Sequence, residues 1–62
     1  MIIRELRFFL SSKNEKWIII EAWYGKEPYY VLENQTIDCP LLTIKKNKLI
    51  EAIEAGKLTQ PL

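Results

Sequence analysis

The sequence predicts an α+β fold, in which a three-stranded antiparallel β-meander carries one C-terminal α-helix packed on one face (β-β-β-α). Two observations support this prediction. Runs of β-branched and aromatic residues are separated by short polar turns, as in adjacent antiparallel strands. Toward the C-terminus, apolar residues recur at helical spacing and a glycine follows them. A chain of 62 residues has room for one domain, which we assign to residues 1–62.

The first strand is assigned to residues 2–10, with the sequence IIRELRFFL. Apolar residues occupy every second position of this segment except Arg4, which favours a strand. A helix is the alternative, because Ile2, Leu6 and Phe9 also share helical spacing. With a helix here, the order of elements becomes α-β-β-α.

The central strand is assigned to residues 17–24, a β-branched and aromatic run that follows a polar loop over 11–16. Residues 25–28 begin with glycine and end with proline, which predicts a turn. The third strand then covers residues 29–32. A fourth short strand around 41–45 is an alternative that the sequence leaves open.

The helix is assigned to about residues 45–55, with Thr43 or Asn47 as its N-cap. Gly56 stands where a left-handed C-cap glycine belongs, and Leu58 follows it to make the apolar contact of such a cap. The apolar stripe of this helix consists of Leu49, Ile50 and Ile53.

Composition places the chain among soluble, cytoplasmic proteins without a membrane span. It is 48% hydrophobic and 27% charged, with a net charge of +1. No apolar run approaches the roughly 18 residues that a transmembrane helix needs. Charged residues also interrupt the N-terminus, where a signal peptide would be apolar. The apolar content exceeds what one small core hides, which indicates a protein partner or an oligomer.

Strand register is inferred from charge. Pairing the first two strands so that Arg7 opposes Glu21 is favourable, whereas a shift of two residues opposes Glu5 and Glu21. A four-residue turn in the second hairpin pairs Trp23 with Tyr30. In this register the helix covers the smooth aliphatic face of the sheet.

The opposite face is then predicted to be a protein-binding surface, because aromatic residues and arginine are enriched at interfaces. Its expected members are Arg7, Phe9, Trp17, Ile19, Glu21, Trp23 and Tyr30. We therefore expect a non-enzymatic interaction module, such as a regulator, inhibitor or accessory subunit. It would dock on another protein or form a homodimer. The alternative is that these aromatic pairs only stabilise a small hairpin and that a chain terminus covers them.

The residue inventory argues against catalysis and against a bound metal or cofactor. Without histidine there is no Ser-His, Cys-His or metal–histidine arrangement. Two distant glycines make no phosphate-binding loop. Cys39 is the only cysteine, so the chain has no internal disulfide, and we expect this residue to be structural and half-buried.

A lysine cluster supplies a second functional hypothesis. Lys45, Lys46 and Lys48 lie at the predicted helix start, against the preference of the helix dipole. Together with free helix N–H groups they would form an anion site, and with aromatic stacking a nucleic-acid surface. The alternative is that the first lysines precede a helix that begins at Asn47. The net charge of +1 is low for a nucleic-acid-binding domain.

Overall fold

A computed structural model describes residues 3–38 and 40–61 of the chain. Two residues named above lie outside these ranges: Ile2 of the first predicted strand and Cys39. The predictions made for them therefore stay untested.

The chain folds as one curled antiparallel sheet with one helix, which confirms the α+β class. The sheet has five strands in the order β4-β3-β2-β1-β5, so the prediction of three strands is wrong. The elements in chain order are β1 (Phe9–Ser11), β2 (Lys16–Trp23), β3 (Tyr29–Asn34), β4 (Leu41–Lys45), α1 (Lys46–Glu54) and β5 (Leu58–Thr59). The short strand at 41–45, left open from the sequence, is present.

The end of α1 explains the added strand β5. Gly56 has a φ of 76°, its N–H donates to the carbonyl of Ile53, and the N–H of Lys57 donates to that of Ala52. This is the pattern of a Schellman cap, as predicted at this glycine. The cap reverses the chain, and Leu58 and the residue after it pair with the free edge of β1.

The start of α1 differs from the prediction. Lys45 is the N-cap, rather than Thr43 or Asn47, and no side chain caps the helix. The helix starts directly after β4. Its first residue, Lys46, still donates its N–H to the carbonyl of Pro28 and so continues the pairing of the strand by one hydrogen bond. The last residue of β4 is therefore also the N-cap, and a lysine side chain has no oxygen with which to cap the helix.

The predicted strand at 2–10 is much shorter in the structure. Only Phe9 and Leu10 of that segment belong to β1, and residues 4–7 form a turn closed by a hydrogen bond from the N–H of Arg7 to the carbonyl of Arg4. The helical alternative is also wrong for residues 3–10. The Gln60 side chain accepts from the N–H of Arg4 and donates to its carbonyl, so the C-terminal tail holds this turn in place.

Both predicted registers are wrong. Phe9 opposes Trp17, and because β1 begins only at Phe9, Arg7 has no strand position from which to oppose Glu21. In the second hairpin Trp23 opposes Tyr29, since the turn has five residues rather than four.

A β-bulge at Ile20 divides β2 into two halves. Ile19 opposes Leu32 on one side of the irregularity and Ala22 opposes Tyr30 on the other, with one extra residue between them. A bulge changes which positions of a strand point to a given face. Odd positions before the bulge and even positions after it therefore face the same side of the sheet.

The core lies between that side, here called the inner face, and α1. Leu49 of the helix is fully buried against Phe9, Tyr30 and Leu32 of the sheet. Other apolar side chains pack around them from half-buried positions. They are Ile3, Trp17, Ile19, Ala22, Ile44, Ile53 and Leu58.

Candidate functional site

The opposite side of the sheet, here called the outer face, is the candidate site. Cross-strand pairs share a face, so the observed register assigns its members directly. They are Ile18, Glu21, Trp23, Tyr29, Val31, Glu33, Leu41, Thr43 and Lys45, beside the exposed bulge residue Ile20. A solvated sheet face is normally polar, whereas most side chains here are apolar or aromatic.

An aromatic pair forms one end of the outer face. Trp23 stacks on Tyr29 with ring centroids 6.3 Å apart and ring planes at 18°. Trp23 keeps 56% of its surface exposed. Its indole also passes over Gly25, where a Cβ atom would lie 2.8 Å from Nε1. A glycine at this point of the turn thus leaves room for the ring to lie flat on the sheet.

Charges of both signs surround this apolar surface. Glu21 and Glu33 stand on the face itself. Lys45 lies at its edge, 3.8 Å from the carboxylate of Glu27, and both side chains of this pair are largely exposed. Exposed pairs of this kind contribute little to stability, so their charges remain available to a partner.

The structure does not bring the predicted docking residues onto one surface. Phe9 and Tyr30 are buried in the core, and Trp17 and Ile19 pack beside them on the inner face. There are two physical reasons. The bulge puts Trp17 and Ile19 on the opposite face from Glu21 and Trp23. The five-residue turn pairs Trp23 with Tyr29, which leaves Tyr30 on the inner face. The remaining predicted residues are exposed: Glu21 and Trp23 on the outer face, and Arg7 in the N-terminal turn.

Sequence reasoning missed Ile18, Tyr29, Val31 and Leu41. For Tyr29, a five-residue turn starting at Tyr24 would have given the correct pairing. Nothing in the run of isoleucines around Ile20 marks the bulge, so no local signal would have placed Ile18 on the outer face.

The three lysines do not form one basic site. Lys45 ends β4 and contacts Glu27, while Lys48 lies 3.4 Å from the carboxylate of Glu51 on the next turn of α1. Lys46 is the half-buried first residue of the helix. A helix beginning at Asn47, the alternative considered from the sequence, is therefore one residue too late.

A tyrosine–carboxylate contact fastens the N-terminal turn to the end of β2. The hydroxyl of Tyr24 donates to the carboxylate of Glu5, and this hydrogen bond raises the pKa of Tyr24 to about 12. The pKa of Tyr30 is also raised, mainly by burial and to a lesser extent by the negative charge of Glu5. The contact lies on the inner side of the sheet, away from the outer face.

A shallow apolar cleft of about 290 Å³ opens between β4 and the β1–β2 loop, with Trp17 and Leu32 on its floor. Leu42 and Ile44 form one wall and Leu58 belongs to the other. It lies where the curled sheet does not close on itself. Its volume is just below the range of small-molecule sites, about 300–1,000 Å³.

Within residues 3–38 and 40–61, no group of three or more Asp, Glu, Cys or His side chains is arranged to hold a metal ion. No helix of this part of the chain has the length and hydropathy to cross a membrane. Comparison with known proteins gives no significant match to a family model, a curated protein or a solved structure.

Proposed function

We propose that the protein is a small non-enzymatic interaction module that docks on another protein through the outer face. The single observation that supports this proposal is the apolar character of that face. Ile18, Val31 and Leu41 stand where a solvated antiparallel sheet carries polar side chains. The helix and the core lie on the other side of the sheet, and within the described chain no element packs over the outer face.

The chemistry of the face specifies the kind of partner. The stacked Trp23 and Tyr29 supply rigid, amphipathic contact area of the type that forms interface hot spots. Glu21 and Glu33 carry negative charge on the face itself. The partner proposed is therefore a folded protein with an apolar patch bordered by basic side chains.

Nucleic-acid binding has weaker support in this geometry. Two of the three lysines, Lys45 and Lys48, each have a glutamate within 4.0 Å. The exposed aromatic pair shares its face with carboxylates, which repel phosphates. We therefore retain one functional proposal.

Affinity capture with matched variants tests the proposal. The wild-type protein, Trp23→Ala and Leu6→Ala are immobilised and exposed to an extract of the native host. Leu6 is a suitable control because it is a fully exposed apolar residue outside the sheet. We expect a protein that wild type and Leu6→Ala retain and Trp23→Ala loses. Equal retention by all three, or by none, would show that the outer face is not the docking surface.

A further inference from the structure

The edge strand β4 has unused hydrogen-bonding groups on its free side. Asn34 donates its N–H to the carbonyl of Pro40 at 3.0 Å, and Lys46 donates to the carbonyl of Pro28 at 2.9 Å. In an antiparallel pair of strands, every second residue directs its N–H and C=O to the neighbouring strand, and the residues between direct theirs away from it. The two flanking bonds therefore show that the N–H and C=O groups of Leu41 and Thr43 point away from β3. Within residues 3–38 and 40–61 these groups have no other partner.

The other edge of the sheet is less open. Strand β5 has only two residues, Leu58 and Thr59. The side chain of Gln60, the next residue, hydrogen-bonds to the backbone of Arg4 and so ties the N-terminal turn beside this edge. An added strand therefore has more backbone to pair with at β4.

We propose that β4 pairs with β4 of a second copy of this chain, antiparallel and centred on Thr43. In this register the two Thr43 residues exchange reciprocal backbone hydrogen bonds across a two-fold axis. Leu41 of one copy then opposes Lys45 of the other. The result is a homodimer with one continuous sheet. Its contacts run along the free edge of β4, at the border of the outer face, and do not include Trp23.

Side chains on the outer side favour this register. Leu41 has Glu33 beside it on β3, and the pairing brings Lys45 of the second copy to its other side. The long lysine side chain can then cross Leu41, which is 62% exposed, and place its charge near the carboxylate of Glu33. The two-fold axis forms the same pair twice.

Side chains on the inner side are also complementary. Leu42 of one copy opposes Ile44 of the other at a non-hydrogen-bonded position, where cross-strand side chains approach most closely. Leu42 is 41% exposed in the single chain and lines the mouth of the cleft. Pairing would cover this leucine and narrow the cleft.

The ends of β4 limit the pairing to one arrangement. Pro40 has no N–H to donate, and α1 begins at Lys46, so the free edge is confined to Leu41–Lys45. Because the contact is isologous, both copies use the same β4 edge, and no β4 edge remains for a third copy. Pairing through β4 therefore closes as a dimer.

A charge-swap experiment at Thr43 tests this arrangement by sedimentation velocity over a wide concentration range. Thr43→Lys and Thr43→Glu each place two like charges opposite one another at the two-fold axis. This repulsion is expected to raise the dissociation constant of the dimer roughly tenfold or more. An equimolar mixture of the two variants is expected to restore it. Thr59→Lys is the matched control, because Thr59 is also an exposed threonine on an edge strand. Circular dichroism verifies that every variant is folded.

Three results would overturn the proposal: a wild-type monomer at every concentration, a dimer that Thr43→Lys leaves unchanged, or single variants that weaken it without recovery in the mixture. Amide hydrogen exchange gives an independent check. The N–H groups of Leu41 and Thr43 are expected to become protected as concentration rises, while Trp23→Ala leaves this protection unchanged. Failure of docking through the outer face would thus be distinguished from failure of the edge pairing.

Discussion

At the residue scale, Asn34 is a fully buried polar side chain whose amide oxygen and nitrogen both have hydrogen-bond partners. Its Oδ1 accepts from the N–H of Thr36 at 2.8 Å and of Ile37 at 3.3 Å, and its Nδ2 donates to the carboxylate of Glu15 at 3.1 Å. One amide thus shapes the chain after β3 and connects it to the β1–β2 loop. Such an amide is costly to remove, because buried groups that lose their partner keep their desolvation penalty.

We therefore expect Asn34→Ala to lower the free energy of unfolding by about 1–3 kcal/mol, measured by urea denaturation. Gln35→Ala is the control, since the neighbouring Gln35 is exposed and bonds only to Glu33 through its side chain. An Asn34→Ala protein as stable as Gln35→Ala would contradict the structural role given to this asparagine.

The contact between Tyr24 and Glu5 makes a prediction about pH. The pKa of Tyr24 is raised to about 12 in the folded protein, against 10.0 for an ordinary tyrosine. The folded state thus holds this proton more tightly than the unfolded state. The stability from this contact is complete below pH 10 and is lost as the pH rises toward 12.

Replacing Glu5 by Gln removes the charged acceptor and is expected to lower the pKa of Tyr24 toward 10. Ultraviolet absorbance of the tyrosinate ion measures this shift. The Tyr24→Phe variant shows which of the tyrosines that titrate at high pH is Tyr24. This control is needed because the pKa of Tyr30 is also raised. An unchanged titration curve in Glu5→Gln would show that the hydrogen bond does not hold the proton.

At the scale of the elements, Gly56 determines where β5 can form. Its φ of 76° is the left-handed conformation that side chains disfavour, whereas an added Cβ would meet no atom within 4 Å. We expect Gly56→Ala to destabilise the protein by about 1 kcal/mol through backbone strain alone. Gly56→Asn should cost less, because asparagine tolerates this conformation better. Equal stability of all three proteins in thermal unfolding would contradict the account of this cap.

Helix α1 and strand β5 show which features can be predicted from the sequence and which cannot. Helix α1 and its glycine stop are local patterns, and both are confirmed within a residue or two. Strand β5 was missed because two residues form a strand only where the chain reversal delivers them to β1. The register was missed for a different reason, since nothing in the run of isoleucines around Ile20 marks the bulge.

At the scale of the whole molecule, the curled sheet separates a covered face from an open one. Among the residues that the structure describes, four apolar side chains are buried, and all belong to the core between the sheet and α1. They are Phe9, Tyr30, Leu32 and Leu49. The outer face retains exposed Trp23 and Leu41, together with Ile20 at the bulge. The sequence predicts that one apolar face of the sheet stays uncovered, since a single helix covers only one side. It does not predict which residues form that face, because their placement depends on the bulge.

The most direct test of docking through the outer face is the dissociation constant of the captured partner for three forms of the protein. Calorimetric titration of wild type, Trp23→Ala and Leu6→Ala provides these values. A hot-spot tryptophan contributes about 2 kcal/mol or more, so Trp23→Ala is expected to bind roughly 30-fold more weakly or worse. Leu6→Ala should bind as wild type does. Wild-type affinity in Trp23→Ala would contradict the assignment of the outer face as the docking surface.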